Sequence, residues 1–430
     1  MTGSPAPHLD GLPHYFAAGI GAGPANLSLA ALFRSGTSES IALFDRQPAA
    51  GWHEGLLHSG VRMQTSWMKD LVSVVDPTHE LSFLNYLVRN GRLFSLINAQ
   101  FDVIPRREYM RYLAWAADHM DDVHYGHEVD VVTFEAGRFV VHCDEKPVAT
   151  ARHLVVGVGT QPARLPGLAT LPAERSFVAD DLHRRLPQMT EGDKAVPVAV
   201  IGGGQTGCEC VLRLLDEGFT DIRWYDRSTW FHTIDDSPIA NDVYRPSHVQ
   251  FLQGLSRPTR RRLVEEMQHT GIALTPGAMR TLYQANYDRM LVTGEFPVTL
   301  LPGREVSGGA LVDGEVALDV VSAEKREQHR VGYAVVAIGR VNTPVPLAPE
   351  LVAQIDVDTD GEVLVGDDYA VTWKGMAENG IYALNRSMYV NGITDNNLTL
   401  LPVRAATVLN SMLGREVYTV SDDLSPVRWG

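Results

Sequence analysis

The hydrophobic positions of this chain alternate between short dense runs that end in glycine and longer stretches where they recur at helical spacing. The apolar run Tyr15–Ala18 leads into Gly19-Ile20-Gly21-Ala22-Gly23-Pro24, and from about Ala25 a helical pattern begins. A second short strand, SIALFD, closes on Asp45. The same order returns downstream. A strand over Val198–Ile201 runs into Gly202, Gly204 and Gly207, then a helix, then another strand in IRWYDRS. Two further apolar runs, HLVVGVGTQP (His153 to Pro162) and YAVVAIGRVNTP (Tyr333 to Pro344), also end in glycine turns. SRPTRRRLVEEMQHTG and PGAMRTLYQANYDRML read as amphipathic helices, and LLPVRAATVLNSML as a final helix. Strands that alternate with helices predict an α/β fold built on parallel sheets.

Glycines at a strand-to-helix turn let the backbone approach a pyrophosphate, which the helix N-terminus stabilises. Gly19, Gly21 and Gly23 fit that use, with Pro24 where a third spaced glycine is usual. An acid at the end of the next strand, here Asp45, accepts from a ribose hydroxyl. The second turn carries the full Gly202-x-Gly204-x-x-Gly207 spacing, and its next strand ends in Asp226-Arg227. A guanidinium there forks onto a 2′-phosphate, which favours NADP over NAD. Two such turns in one chain predict two Rossmann-like domains, one for FAD and one for NADPH. The expected boundaries are a flexible lead over 1–14, an FAD domain over 15–190 and 340–430, an NADPH domain over 191–237 and 302–339, and a small helical substrate insert over 238–301.

Composition narrows the field. A length of 430 residues suggests two or three domains, and 45% hydrophobic with 21% charged residues is ordinary for a globular chain. The formal net charge of −15 argues against nucleic acid or an anionic membrane surface as partner. No run reaches the length of a membrane span, and the N-terminus lacks the pattern of a signal peptide. Three cysteines make no disulfide framework, which suits a cytoplasmic protein. The histidines are scattered without ligand spacing, so no metal is expected. Cys208 and Cys210 lack the spacing of a disulfide-reductase pair, and the Baeyer–Villiger fingerprint is not visible between Pro162 and Val198.

A more specific pattern lies outside the nucleotide turns. GIGAGPANLSLA, Trp52-His53, MQTSWMKDLVSVVDPT, SFLNYL, the run from Arg107 to Ala117, IGGGQTG and DDSPIANDVYRP together resemble the microbial N-hydroxylating flavin monooxygenases. These are the lysine and ornithine hydroxylases of siderophore and related pathways, and the likeness spans about residues 15 to 415. The resemblance implies that a C(4a)-hydroperoxyflavin transfers oxygen to a terminal primary amine, with molecular oxygen as co-substrate. It places Gln64 beside the flavin and Lys69 on the carboxylate of an amino-acid substrate. It gives Asn241 to both substrate and nicotinamide, and Trp52, His53, Gln205, Asp395 and Leu398 to the cofactors. Thr399 falls in the segment that closes over flavin and amine. It also implies a homo-tetramer. Three departures stand out: Asn391 where relatives have His, Thr399 where they have Ser, and Ala-Ile-Gly-Arg340 for the usual Ala-Thr-Gly-Tyr.

Retention of Lys69 favours an amino acid over a diamine, and MQHTGIALTP (Met267 to Pro276) looks more like the corresponding stretch of lysine enzymes. The expected substrate is L-lysine, with L-ornithine or a diamine (cadaverine or putrescine) as alternatives. A flavin- and NADP-binding redox sensor that has lost oxygenation is the non-enzymatic alternative. Amine-dependent hydroxylamine formation separates the two.

Overall fold

The structure is a computed structural model that describes all residues except 1–8, 10, 58, 59, 272 and 421–423. Most of the expected N-terminal lead therefore lies outside the described residues. The first sheet has seven strands: β1 (His14–Ile20), β2 (Ile41–Asp45), β3 (Val123–Tyr125), β4 (Val129–Glu135), β5 (Arg138–Cys143), β6 (Lys146–Val156) and β17 (Ile381–Ala383). Its order is β3-β2-β1-β6-β5-β4, with β17 also paired to β6. The nucleotide-type part is parallel, whereas β4, β5 and β6 run as an antiparallel meander.

The second sheet is wholly parallel. It combines β8 (Ser176–Val178), β9 (Val198–Ile201), β10 (Ile222–Tyr225), β11 (Val298–Leu301) and β15 (Tyr333–Val336) in the order β11-β10-β9-β15-β8. β9 shows why its sequence is apolar throughout. Val198 and Val200 pack into the core beneath the helices Gln205–Asp216 and Pro276–Thr293, while Ala199 and Ile201 face the opposite layer. That layer is an antiparallel meander of β12 (Glu305–Val312), β13 (Glu315–Val321) and β14 (Arg326–Val331). Two short strands, β7 (Thr160–Pro162) and β16 (Arg340–Asn342), pair antiparallel where the chain crosses between the units.

The two glycine turns are built alike. Gly21 has φ +91°, and a Cβ there would lie 2.5 Å from the Gly157 carbonyl oxygen after β6. Gly202 has φ +120°, and a Cβ there would lie 2.3 Å from the Ala337 oxygen after β15. Each apolar run that ends in a glycine turn thus abuts a nucleotide turn, and only glycine satisfies both the backbone angle and the approach.

Three segments lie outside the units expected for them. β8 pairs with β15, so residues 176–178 belong to the second sheet and not to the first unit. β11 pairs with β10, which places 298–301 there too. The helix Pro276–Thr293, expected in the substrate insert, packs on the second unit through Ala278, Met279 and Leu282. Its Asn286 side chain donates to Val298 O and accepts from Val298 N, both at 3.0 Å, and so acts as an edge partner for β11. The remaining insert helices, Pro238–Asn241, Pro246–Gln253 and Arg257–Glu266, bind the first unit instead. Val243, Leu252 and Val264 share a core with Ile393, and Arg261 lies over the Tyr389 ring at 4.9 Å.

Candidate active site

A cavity of about 920 Å³ opens at the carboxyl ends of β1 and β2, where open α/β sheets bind ligands. Gly21, Gly23, Pro24, Asp45, Trp52, His53 and Leu398 line it, together with Arg340 and Arg404. Gly23 caps the helix Pro24–Gly36 without a side-chain bond, and a Cβ there meets nothing within 4 Å. Free amides and open space together suit a pyrophosphate. Asp45 also braces the turn, since Oδ2 accepts from Ala22 N at 2.7 Å. Gly19 lies off the cavity, and its missing Cβ makes room for Leu43 and Asn26. Asn26, not singled out in the sequence, donates to Gly21 O at 2.6 Å and ties the turn to its own helix.

His53 holds a left-handed backbone with φ +53°, an uncommon conformation for a residue with a side chain. Burial, and then the nearby guanidiniums of Arg340 and Arg106, push its pKa down to about 4. The ring is therefore neutral at pH 7. Arg340, the departure in Ala-Ile-Gly-Arg, donates from Nη1 to both Asp180 oxygens at 2.9 and 3.1 Å and from Nε to the Thr160 hydroxyl at 3.0 Å. It pins the crossing strands to the second unit.

The Met63–Ser73 segment is held by Asp70. That carboxylate is buried and accepts from Val72 N, Ser73 N, Ser73 Oγ and Phe83 N at 2.6–2.9 Å. Leu71 adds a bond from the Ser28 hydroxyl at 2.5 Å and donates to the Tyr112 hydroxyl at 3.2 Å. On this fixed loop Lys69 is half-buried and forms no ion pair with any described residue. Its Nζ stands 6.0 Å from the centroid of the Tyr244 ring in the insert, and burial lowers its pKa. Gln64 is exposed, and its amide bonds to no described residue. Neither Gln64 nor Lys69 lines the main cavity.

Asn241 is exposed, and its Nδ2 donates to Asp236 O and Ser237 O at 3.2 and 3.1 Å. In this arrangement it closes its own short helix. The Asp395 carboxylate accepts from Ser387 N at 2.7 Å and from Arg404 at 3.2 Å, so it faces protein and not the cavity. Arg404 lines the cavity, and its buried Nη2 has no partner among the described residues. Asn391 is fully buried between Gln253 Nε2 at 2.7 Å and Ser387 Oγ at 2.9 Å. The amide that replaces histidine thus joins insert and closing segment. Thr399 is buried directly after Leu398, and its amide donates to Asn397 Oδ1 at 2.8 Å.

At the second turn, Gly204 opens the helix Gln205–Asp216 into free space, while a Cβ on Gly207 would meet Gly202 O at 2.1 Å. Gln205 is tied up within the protein: Oε1 accepts from Thr275 N at 2.9 Å, and Nε2 donates to Glu209 at 3.0 Å. Arg227 is exposed at the end of β10 and has no ion-pair partner among the described residues. Its guanidinium is free to meet a ligand.

Two nucleotide-type turns, a cavity at one of them and a half-buried lysine beneath a separate helical insert restrict the choice of family. The family model for L-lysine 6-monooxygenase/L-ornithine 5-monooxygenase matches residues 14–339. The chain belongs to that family. Its class is accordingly the flavin- and NADPH-dependent N-hydroxylating monooxygenases. It is 30% identical to the L-lysine N6-monooxygenase of Escherichia coli over 421 residues, covering 96% of this chain and 97% of that one. It is 27% identical to the putrescine N-hydroxylase of Acinetobacter baumannii, covering 94% and 91%. The fold matches the ornithine N-hydroxylase of Kutzneria sp. 744, solved with reduced FAD, NADP+ and L-ornithine, with TM-score 0.86 and 26% identity over 94% and 99% of the two chains. Relatives of similar identity thus act on three different amines.

Proposed function

We propose that this protein hydroxylates the side-chain amine of L-lysine with FAD, NADPH and molecular oxygen, as a step in siderophore or related hydroxamate biosynthesis. The observation that carries the substrate is Lys69. A half-buried ammonium with no acid paired to it among the described residues pays desolvation with no return until a carboxylate arrives. An α-amino acid brings that carboxylate, and a diamine does not. Bound FAD supplies the oxygen activation that no side chain provides.

The residues divide the work. Gly21, Gly23, Pro24 and Asp45 would hold the adenosine diphosphate part of FAD, with Trp52, His53 and Leu398 further along the same cavity. Gly202, Gly204 and Gly207 would receive NADPH, with Arg227 on its 2′-phosphate. Gln64 would present its unengaged amide to the flavin. Asn241 would turn from its present backbone partners toward substrate and nicotinamide, and Thr399 would back the closing segment. The reacting amine must be neutral, because an ammonium has no lone pair.

We place the enzyme in the cytoplasm; no helix among the described residues is long and apolar enough to cross a membrane. The family resemblance implies a homo-tetramer, and a stripe on the helix Pro276–Thr293, where Tyr283, Tyr287 and Leu291 are 61%, 53% and 65% exposed, supports self-association without fixing the number of copies. Incubation of the wild type with L-lysine, L-ornithine, cadaverine and putrescine, with hydroxylamine product measured, tests the proposal. L-lysine is expected to be the best substrate; a diamine as the best substrate would refute it.

A further inference from the structure

Glu209 lies in the helix that follows the second glycine turn, yet its carboxylate is engaged by the other unit. Arg106, at the start of the helix Arg106–Asp118 in the first unit, places Nη2 3.0 Å from Oε1 and Nη1 3.2 Å from Oε2. The side chains are 12% and 5% exposed, so this fork is nearly dry. The same Nη1 donates to Leu56 O at 3.3 Å. Leu56 belongs to the segment after Trp52-His53 and is packed into the core of the second unit. The same Oε1 of Glu209 also accepts from Gln205, which holds Thr275 at the N-cap of the helix Pro276–Thr293. A continuous polar chain therefore runs from Leu56, next to the cavity-lining Gly55, to the residue that opens the NADPH-type helix.

We infer that the Arg106–Glu209 fork is the positioning element that sets the NADPH-binding unit at the angle needed for hydride transfer to the flavin. Three observations carry this. The fork is bidentate, so it fixes an angle as well as a distance. Its charges are shielded from solvent, so neither group leaves its partner cheaply. Glu209 stands one helical turn from Gln205, so any tilt of the acid moves the glycine turn with it. Arg340 on Asp180 supplies a second ion pair where the chain crosses between units, made through Nη1 alone, and both guanidiniums act on His53 from different elements. Neither Arg106 nor Glu209 lines the cavity, so they act through placement and not through contact with the reacting atoms.

Hydride transfer demands a donor and an acceptor close to contact, and a misplacement of about 1 Å costs on the order of 100-fold. The test is anaerobic reduction of the FAD-loaded enzyme, followed at the flavin absorbance, by saturating NADPH and separately by dithionite. Arg106→Met and Glu209→Gln are each expected to slow reduction by NADPH about 10- to 100-fold. Both should leave dithionite reduction and FAD affinity within about twofold. Arg106→Lys keeps the charge without the fork, should recover only part of the rate, and serves if either neutral variant fails to fold. The double variant Arg106→Met/Glu209→Gln should be no slower than the slower single one, because both remove the same contact. Unchanged reduction by NADPH, equal losses with both reductants, or additive single effects would overturn the inference.

Discussion

Lys69 Nζ stands 6.0 Å from the centroid of the Tyr244 ring, across the gap between the Asp70-anchored loop and the helical insert. The contact is too long to satisfy an ammonium by itself, and no described acid is paired with it. Sequence neighbours here have opposite fates: Asp70 spends its charge on the loop, and Lys69 keeps its own for a ligand.

That arrangement predicts a pH dependence. Burial lowers the Lys69 pKa from its ordinary 10.5, so the cationic form is lost at a lower pH than for a surface lysine. A carboxylate substrate needs that cation, and a diamine does not. The ratio of kcat/KM for L-lysine to that for cadaverine should therefore fall as pH rises through the lowered pKa. Taking the ratio removes the shared requirement for a neutral reacting amine. A ratio constant up to the denaturation limit would show that Lys69 does not read the carboxylate.

Arg227 should discriminate between the two coenzymes. An exposed charge pair is partly screened, so Arg227→Ala should raise the KM for NADPH by about 10-fold and leave that for NADH nearly unchanged. Equal losses with NADPH and NADH would assign the 2′-phosphate to another residue.

Asp70→Ala should be costly to the fold. It strands two buried donors, Val72 N and Phe83 N, and two part-buried ones on Ser73, and is expected to lower stability by roughly 3–5 kcal/mol. Denaturant unfolding measures this directly. Stability within 1 kcal/mol of wild type, on the order of an ordinary surface change, would mean that the loop is held elsewhere.

Acid should loosen the protein in a defined window. Burial is the first cause of depression at His53, His153 and His248, each with a pKa of about 4. A histidine with a depressed folded pKa contributes stability that is full above the unfolded value of 6.5 and is lost as pH falls toward 4. The thermal midpoint should drop steadily from about pH 6.5 downward, ahead of most carboxylate titration. His248→Gln should flatten the slope, and an unaltered slope would exclude that ring as a contributor.

The two nucleotide units were legible because glycine spacing and apolar runs are local signals, and Gly21 and Gly202 take the backbone angles that such turns require. Sheet membership was less so. β8 has only three residues and lies well before β9, so nothing local shows that it pairs with β15. The helix Pro276–Thr293 read correctly as a helix, but its attachment depends on Asn286 meeting β11 from a distance. In the site, motif marks Lys69, Gln64 and Asp395, whereas nothing local shows that Asp395 bonds Ser387 and Arg404. Arg404 itself sits in an ordinary-looking helix, LLPVRAATVLNSML, and its place on the cavity wall, its buried pair with Asp395 and its Nη2 without a described partner appear only in the fold. The Arg106–Glu209 fork joins residues 103 positions apart, with no sequence pattern linking them.

The central claim is that Lys69 selects an amino acid by its carboxylate, and the L-lysine-to-cadaverine ratio of kcat/KM in wild type and Lys69→Ala tests it most directly. Loss of a partner to a charge-assisted contact costs about 1.5–3 kcal/mol, or about 10- to 150-fold in specificity. The wild type should favour L-lysine by about that factor, and Lys69→Ala should bring the ratio close to one by losing L-lysine turnover alone. An equal fall for both amines, or a wild-type preference for cadaverine, would contradict the account.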